Sequence, residues 1–357
     1  MKKTLSGIAL FLLIVTAKQL SASENIVVKG DFRYRHEMID QEDKDYTRNR
    51  QRIRARLEVA AKLNDTWSAG FRFASGSDDP VSTNQTLTGG FSTKPLALDL
   101  AYFKWSPNQI LTVQGGKTKL PFQKVGKTEL LWDGDLNPEG LSFVLNKKMG
   151  SLAATLSSAM LWVEEKKTED DVILYGAQGG LGSKLNDDIK IWAGVGYYTL
   201  TGAEGSMPVF DGDSFGNSVD ENGYYLTGFD EVEVSAELSS KIGELPVSVV
   251  GDYVTNTAAD ENNMGWLVGF SAGKAKDPGS MAFAYSYRKL EQDAVIGAFT
   301  DSDFIGGGTD GSGHEFGFGY MINKQVKAEA SFFLNKIGVE NGKDFKRLML
   351  DVSMKLN

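Results

Sequence analysis

An arginine occupies every second position from residue 48 to residue 56, and from Ile53 onward the positions between them are aliphatic. A side chain that recurs every two residues lies on one face of a β-strand, so this segment has one cationic face and one apolar face. A soluble sheet rarely buries a row of like charges, whereas a membrane barrel with a water-filled lumen keeps charge inside and apolar groups outside. The pattern therefore predicts a strand of a transmembrane β-barrel. Its arginines are Arg48, Arg50, Arg52, Arg54 and Arg56.

The same alternation recurs after residue 24 in about sixteen segments. They lie near residues 26–38, 50–62, 67–75, 97–105, 109–117, 140–146, 151–163, 172–182, 188–200, 223–240, 245–256, 263–273, 279–290, 312–321, 324–335 and 345–356. Short connections with turn chemistry alternate with longer ones at 39–49, 76–96, 118–139, 164–171, 201–222, 257–262, 291–311 and 336–344. The predicted fold is all-β: a transmembrane antiparallel barrel of about 16 strands, with short periplasmic turns and long external loops.

The amino-terminal residues have the pattern of a secretory signal peptide. Lys2 and Lys3 precede a mostly apolar run at 5–17, and small residues follow at 21–23. We expect residues 1–23 to be removed on export and residues 24–357 to form the barrel. The apolar run is too short to span a bilayer comfortably as a helix.

A soluble solenoid, sandwich or lectin-like fold is the alternative architecture. Its strands would also alternate, but its charges would lie on the solvated outer face. A closed barrel in lipid accounts better for the alternation of short and long connections. Closure is required there, because each backbone group at an open sheet edge in hydrocarbon lacks a hydrogen bond, which costs several kcal/mol per group.

Composition excludes several classes of function. Residues 1–23 hold three lysines and no acid, so their removal takes the formal net charge from −9 to −12. Acidity of this size argues against a nucleic-acid partner, because binding phosphate groups requires a basic surface. The chain has no cysteine and therefore no disulfide or thiolate chemistry.

Motifs for metals, phosphates and catalysis are weak. The two histidines, His36 and His314, are too few for a histidine metal cluster, and no nucleophile with an orienting partner accompanies either. The segment 211–213 resembles the start of a calcium-binding loop, and a bound calcium ion there stays an open alternative although the later ligands of such a loop are missing. The glycines at 306–308 lack the Lys-Ser/Thr pair of a P-loop. We expect no cofactor, no metal and no enzymatic activity.

Several segments together resemble the porins of Gram-negative outer membranes, in the style of general and phosphate-selective porins. They are the arginine-rich opening at 31–38 and 48–65, STNQTL at 82–87, ELLWDGDLNPEG at 129–140, and the stretch 293–320. The resemblance covers nearly the whole exported chain. It implies a sixteen-stranded, trimeric diffusion channel and names no solute.

Charges inside such a barrel predict two opposed walls. With sixteen strands, the segments 50–62 and 223–240 lie half a circumference apart at similar depth, which predicts a field across the lumen. The predicted basic wall is Arg33, Arg35, Arg52, Arg54, Arg56 and Arg72. The predicted acidic wall is Glu231, Glu233, Glu237 and Asp252. Alternatively, the arginines pair only with nearby carboxylates and stiffen the wall.

The third external loop, at 118–139, is the predicted constriction. It is long and carries charges of both signs, and the resemblance to porins implies that it folds into the barrel toward the arginines. Its charged residues and those at its base are Lys117, Lys119, Glu129, Asp133, Asp135 and Glu139. An exposed lid or a trimer contact is the alternative.

The predicted function is passive diffusion of small polar or charged solutes through an outer-membrane porin. The expected partners are membrane lipid, small hydrophilic solutes and two further copies of the chain. A barrel hydrolase and a plugged structural or adhesion barrel are the alternatives.

Overall fold

The structure, a computed structural model, describes residues 25–126, 128–168 and 170–356. The expected signal peptide and the terminal Asn357 lie outside these residues. No helix in the described ranges is long and apolar enough to cross a bilayer. The described strands are β1 (Ile26–Gln41), β2 (Arg48–Lys62), β3 (Trp67–Ser75), β4 (Gln85–Thr86), β5 (Leu96–Trp105), β6 (Leu111–Lys117), β7 (Glu139–Met149), β8 (Leu152–Glu164), β9 (Val172–Lys184), β10 (Lys190–Leu200), β11 (Phe229–Ile242), β12 (Leu245–Asn256), β13 (Met264–Gly273), β14 (Met281–Leu290), β15 (Gly311–Met321), β16 (Val326–Ile337) and β17 (Lys343–Leu356).

Antiparallel pairing closes the sheet into a barrel. Within the described part of the chain, sixteen long strands each pair with the neighbours before and after them, and β1 pairs with β2 on one side and β17 on the other. Closure leaves no free edge, so every strand has a partner for its backbone N–H and C=O groups. The predicted all-β antiparallel barrel is confirmed.

Alternate residues of each strand lie in different environments, as β11 illustrates. Val234 is 49% exposed on the outer face, whereas its neighbour Glu233 is 3% exposed inside the barrel. The outer face is apolar because lipid covers it in a membrane, and the inner face carries the charged side chains.

Two places differ from the predicted strand pattern. β11 begins at Phe229 and not at 223, because Tyr225 in the preceding loop packs edge-on against Phe229 at 5.3 Å and continues the loop. The predicted loop at 76–96 contains the short β4, although β3 ends at Ser75 as predicted. Gly76 follows with a φ of +119° and lies against the backbone of Thr83. The chain then turns toward the lumen, and the short β4 pairs with β2 beyond the end of β3.

Two long loops, 118–138 and 291–310, fold into the lumen and form its packed core. The first buries Phe122, Val125, Leu130 and Trp132 together with the lumen-facing Tyr198 of β10. The second buries an apolar run at 294–299 that includes a 3-10 turn at Gly297–Phe299. The resemblance to porins implies the inward course of the first loop, whereas that of the second is a finding of the structure.

Candidate functional site

Strand register places the arginines of β1 and β2 side by side on the lumen face. Arg33 lies opposite Arg54, and Arg35 lies opposite Arg52. Like charges directly opposite each other on a sheet are destabilising, so the arrangement needs carboxylates between them. The arginines of this row, which we call the arginine ladder, are Arg33, Arg35, Arg48, Arg50, Arg52, Arg54 and Arg56.

Carboxylates from β1 and β17 hold the middle of the ladder. Asp351 accepts two hydrogen bonds of 2.8 Å from Arg35, in the bidentate geometry that Arg–carboxylate pairs favour. Asp31 accepts from Arg54 at 3.1 Å and from Arg56 at 2.8 Å. Arg33 is left with a longer contact of 3.8 Å to Asp351 and a hydrogen bond to the amide oxygen of Asn84.

Three guanidinium groups converge on the fully buried Glu37 at the loop end of the ladder. Arg50 donates to Glu37 at 2.7 Å, Arg52 lies 3.7 Å away, and Arg347 of β17 forms a close ion pair with it. Sequence reasoning left Arg347 out of the predicted basic wall. The signal was present, because Arg347 and Asp351 occupy inward positions in the alternation of the last strand.

Arg72, the sixth predicted basic residue, has a separate partner. It forms a close ion pair with Asp99, which lies at an irregular register position of β5. Asp99 also accepts a 2.7 Å hydrogen bond from Asn137 of loop 118–138. Arg72 therefore helps to anchor the returning end of that loop.

Loop 118–138 reaches the ladder through Asp135. This carboxylate lies 3.3 Å from Arg56 and 3.9 Å from Arg54, and it accepts a 3.0 Å hydrogen bond from the Thr83 hydroxyl. Burial opposes its ionisation, but Arg54 and Arg56 hold the pKa of Asp135 below its ordinary value. The loop is thus held against the ladder by charge.

The predicted acidic residues lie on β11 and β12, eight strands around the barrel from β2. Glu233 accepts hydrogen bonds from Tyr198 at 2.7 Å and Gln178 at 3.3 Å. Glu231 accepts from the backbone of Ile296 in loop 291–310, and Glu237 from the backbone of Gly126 in loop 118–138, both at 2.9 Å. Asp252 is 5% exposed. These four residues lie under the two loops, and the loops separate them from the ladder.

The predicted charges of the third loop fall into two groups. Lys117 and Glu139 pair at 2.9 Å where β6 ends and β7 begins, at the base of the loop. Lys119 is solvent-exposed but lies near the lumen charges, since burial, Arg72 and Arg56 lower its pKa to about 8. Asp133 and Asp135 lie inside the barrel with Glu129.

The seam between the two inward loops contains three close carboxylates. Oxygens of Glu129, Asp133 and Asp301 lie within 4.8 Å of one another. Asp301 also pairs with the buried Arg288 of β14 at 2.6 Å, and Glu129 lies 3.5 Å from Lys124. Burial and the nearby Asp301 raise the pKa of Asp133 to about 7. Burial, Asp301 and Asp133 likewise raise the pKa of Glu129 well above its ordinary value.

Backbone and side-chain hydrogen bonds lock this seam. The amide of Asp133 donates to the Phe299 carbonyl, and the amide of Ser302 donates to the Asp133 carboxylate, both at 2.9 Å. The Thr300 hydroxyl donates to the Leu130 carbonyl at 2.8 Å. The two inward loops are therefore joined to each other inside the barrel, and no periodic pattern in the sequence indicated the inward course of the second.

Loop 291–310 also has a carboxylate that contacts the basic wall. Asp303 lies 2.7 Å from Arg347 and 3.4 Å from Arg35. Although burial opposes ionisation, Arg347 and Arg35 lower the pKa of Asp303. Asp135 and Asp303 together bring both loops onto the ladder.

The two histidines lie on the outer face of the barrel. His36 Nδ1 is 2.6 Å from the side-chain amide nitrogen of Gln51, and His314 Nδ1 is 3.0 Å from the Tyr285 hydroxyl. Their partners are thus neighbouring strand residues outside the lumen.

Comparison with known proteins assigns the family. A profile of the family described as Putative porin matches residues 25–217 and 213–341. The chain belongs to this porin family. No curated protein sequence matches the chain.

Solved porins share the architecture at low sequence identity. OprB of Pseudomonas putida superposes with a TM-score of 0.64 at 11% identity, over 96% of this chain and 97% of OprB. OmpF of Salmonella typhi gives 0.58 at 12% identity, over 93% and 98% of the two chains. OmpT of Vibrio cholerae, in its trimer form, gives 0.53 at 13% identity, over 93% and 100%. Family and fold together make this protein a porin, an outer-membrane channel for solute diffusion.

Rising pH is expected to loosen the seam. The pKa of Asp133 rises from 3.8 to about 7 in the closed seam, so the closed state binds more protons than an opened, solvated one. The seam is then most stable below about pH 4, weakens as the pH rises to about 7, and changes little above that. Hydrogen exchange of the Ser302 amide, corrected for its intrinsic pH dependence, measures this opening at pH 5 and pH 8.

Two variants of the seam serve as test and control. Asp133→Asn removes the titrating group that accepts the hydrogen bond of the Ser302 amide and leaves Glu129, so the protection of Ser302 should change less between the two pH values than in the wild type. Asp135→Asn is the matched control, because the pKa of Asp135 is lowered and this carboxylate stays charged throughout. Equal protection of the wild-type seam at pH 5 and pH 8 would contradict the assignment.

Proposed function

We propose that this porin is a water-filled channel for small polar or charged solutes in which the arginine ladder forms one wall of the path. The observation that carries the proposal is the ladder itself, whose Arg33, Arg52, Arg54 and Arg56 side chains keep 11–17% of their surface exposed inside the barrel. The proposed path runs along the part of the arginine ladder that the two inward loops leave exposed.

An excess of positive charge along this wall favours anions. Five guanidinium groups, those of Arg33, Arg35, Arg50, Arg52 and Arg347, share three carboxylates, Glu37, Asp303 and Asp351, through contacts of at most 3.8 Å among the described residues. Low-dielectric walls focus the field of such charges and raise the local concentration of counter-ions. We therefore expect the channel to prefer anions over cations of the same size.

The acidic side of the proposed transverse field is carried by the loops. Glu231, Glu233, Glu237 and Asp252 lie behind loops 118–138 and 291–310, so their effect reaches the path only through these loops. From these loops, Asp135 and Asp303 contact the ladder, at Arg56 and Arg35 respectively. The proposed field thus runs from the ladder to the loops.

We further propose that the porin is a homotrimer in the outer membrane. The OmpT structure in trimer form supports this, and so does a polar group on the outer face of β1 and β2, where Gln51 is hydrogen-bonded to both Tyr34 and His36. His36 lies beside the outward Leu350 of β17, so lipid chains would surround this group unless another subunit covers it. Sedimentation equilibrium of the detergent-solubilised protein should give the mass of three chains, and a monomer mass would contradict the proposal.

Charge reversal on the ladder tests the selectivity. We expect Arg54→Glu with Arg56→Glu to shift the zero-current potential in a salt gradient toward cation preference, and the double glutamine variant to shift it less. Planar-bilayer recordings measure the shift. Lys94→Glu, on an external loop away from the ladder, is the control for net charge. Unchanged potentials in both ladder variants would refute the basic wall.

Loop deletion tests the constriction. Removing residues 128–138 should raise the single-channel conductance, because it empties part of the lumen and frees Arg54 and Arg56 from Asp135. Deletion of residues 88–92, in the exposed part of the second external loop, is the control and should leave the conductance near the wild-type value. A conductance that does not rise on deletion of 128–138 would favour a lid or a subunit contact.

A further inference from the structure

A cavity of about 600 Å³ lies on the loop side of the ladder. The loop-side ends of β1, β2 and β17 form one part of its lining, and residues within 77–82, 210–215 and 297–308 form most of the rest. Its volume is within the range of sites that hold small organic ligands, so a solute moving toward the ladder would have room to stop here.

One side of the cavity is cationic. Arg48, Arg50 and Arg52 line it at alternate positions of β2, which spaces them roughly 6.6–6.8 Å apart along the strand. Arg48 has no ion-pair partner among the described residues, and Arg50 and Arg52 share Glu37 with Arg347. The full lining has five cationic residues and three carboxylates: Lys44, Arg48, Arg50, Arg52 and Arg347, against Asp78, Asp79 and Asp211.

Another part of the lining is apolar and aromatic. Phe210 and Phe215 stack with their ring centroids 6.1 Å apart and an interplanar angle of 28°. Both rings are half-buried and line the cavity beside Ile305. An apolar ring or hydrocarbon group of a ligand could pack against these two rings and be shielded from water.

Strained backbone surrounds this apolar part. Asp211, Phe215 and Ile305 have φ values of +54°, +47° and +49°, and all three line the cavity. A positive φ is a genuine outlier for a β-branched residue such as Ile305. Gly308 is needed next to them, because a Cβ there would lie 2.3 Å from the Phe215 carbonyl oxygen. Backbone strain of this kind concentrates at ligand-binding sites, where the surrounding structure holds it in place.

We propose that this cavity is a binding site for small carboxylates that carry an apolar ring, and that it holds them before they pass along the ladder. This proposal rests on the proposed channel function and specifies which class of solute the channel carries. The arginines provide charge-assisted hydrogen bonds to a carboxylate, and the phenylalanine pair provides a surface for the ring. A small hydrated anion would leave the apolar surface unused, and a neutral ring would leave the arginines unused.

Solute block of single channels tests the site. Benzoate added on the loop side should interrupt the chloride current of the full-length porin at lower concentration than gluconate, benzyl alcohol or benzylamine. Gluconate carries the charge without a ring, benzyl alcohol carries the ring without a charge and reports any effect on the lipid, and benzylamine reverses the charge. Equal block by benzoate and gluconate, or by benzoate and benzyl alcohol, would overturn the proposal.

Variants separate the two halves of the site. Arg48→Gln should raise the half-blocking concentration of benzoate roughly three- to tenfold, because a weaker neutral hydrogen bond replaces a charge-assisted one. Phe210→Ser should raise it by about tenfold, and Phe210→Leu, which keeps an apolar side chain, should restore most of the block. Lys94→Gln removes a charge outside the cavity and is the control.

The outcomes also distinguish the site from the channel. If Arg48→Gln or Phe210→Ser leaves the block unchanged, or if Lys94→Gln weakens it equally, the cavity is not the binding site although the channel conducts. If the wild-type protein carries no chloride current, the proposed function fails together with the inference.

Discussion

Closure of the backbone hydrogen-bond ladder in lipid is the constraint on which the rest of the structure depends. Hydrocarbon offers no partner for an open strand edge, so β1 must pair with β17 as well as with β2. Closure fixes which face of every strand meets lipid, and a strand with alternating chemistry has no choice but to direct its charges inward. The arginine ladder is therefore a consequence of closure as much as of the arginine spacing.

Charges placed inside a barrel create a second requirement, because a buried ion without a partner is costly. The wall itself meets part of this requirement, with Asp31 and Asp351 between neighbouring arginines. The inward loops meet more of it on both sides of the lumen. They bring Asp135 and Asp303 to the ladder, and backbone amides of Ile296 and Gly126 to the acidic residues of β11. The same contacts that satisfy the charges hold the loops in position.

The alternating sequence pattern predicts the strands but not the inward loops. The reason is that lipid determines the faces of the strands, whereas contacts between distant residues determine the positions of the loops. Period-two patterns identified all sixteen long strands, since each strand has one face in lipid. They failed at 223–228, where Tyr225 packs within a loop although apolar residues suggest a strand. They also gave no sign that loop 291–310 turns inward. Its apolar residues at 294–299 form a short run without periodicity, and their burial depends on loop 118–138, which lies about 170 residues away in sequence.

Two interlocked inward loops behave differently from a single inward loop. The Ser302 amide and the Thr300 hydroxyl of one loop bond to the Asp133 carboxylate and the Leu130 carbonyl of the other. Displacing either loop breaks these bonds and leaves buried polar groups in its partner without hydrogen bonds, which disfavours independent movement. Asp135 belongs to one loop and Asp303 to the other. A movement of the loops at the seam therefore also changes how well these carboxylates neutralise the charge of the arginine ladder. The packing of the two loops and the charge balance of the arginines are therefore coupled in this barrel through Asp135 and Asp303.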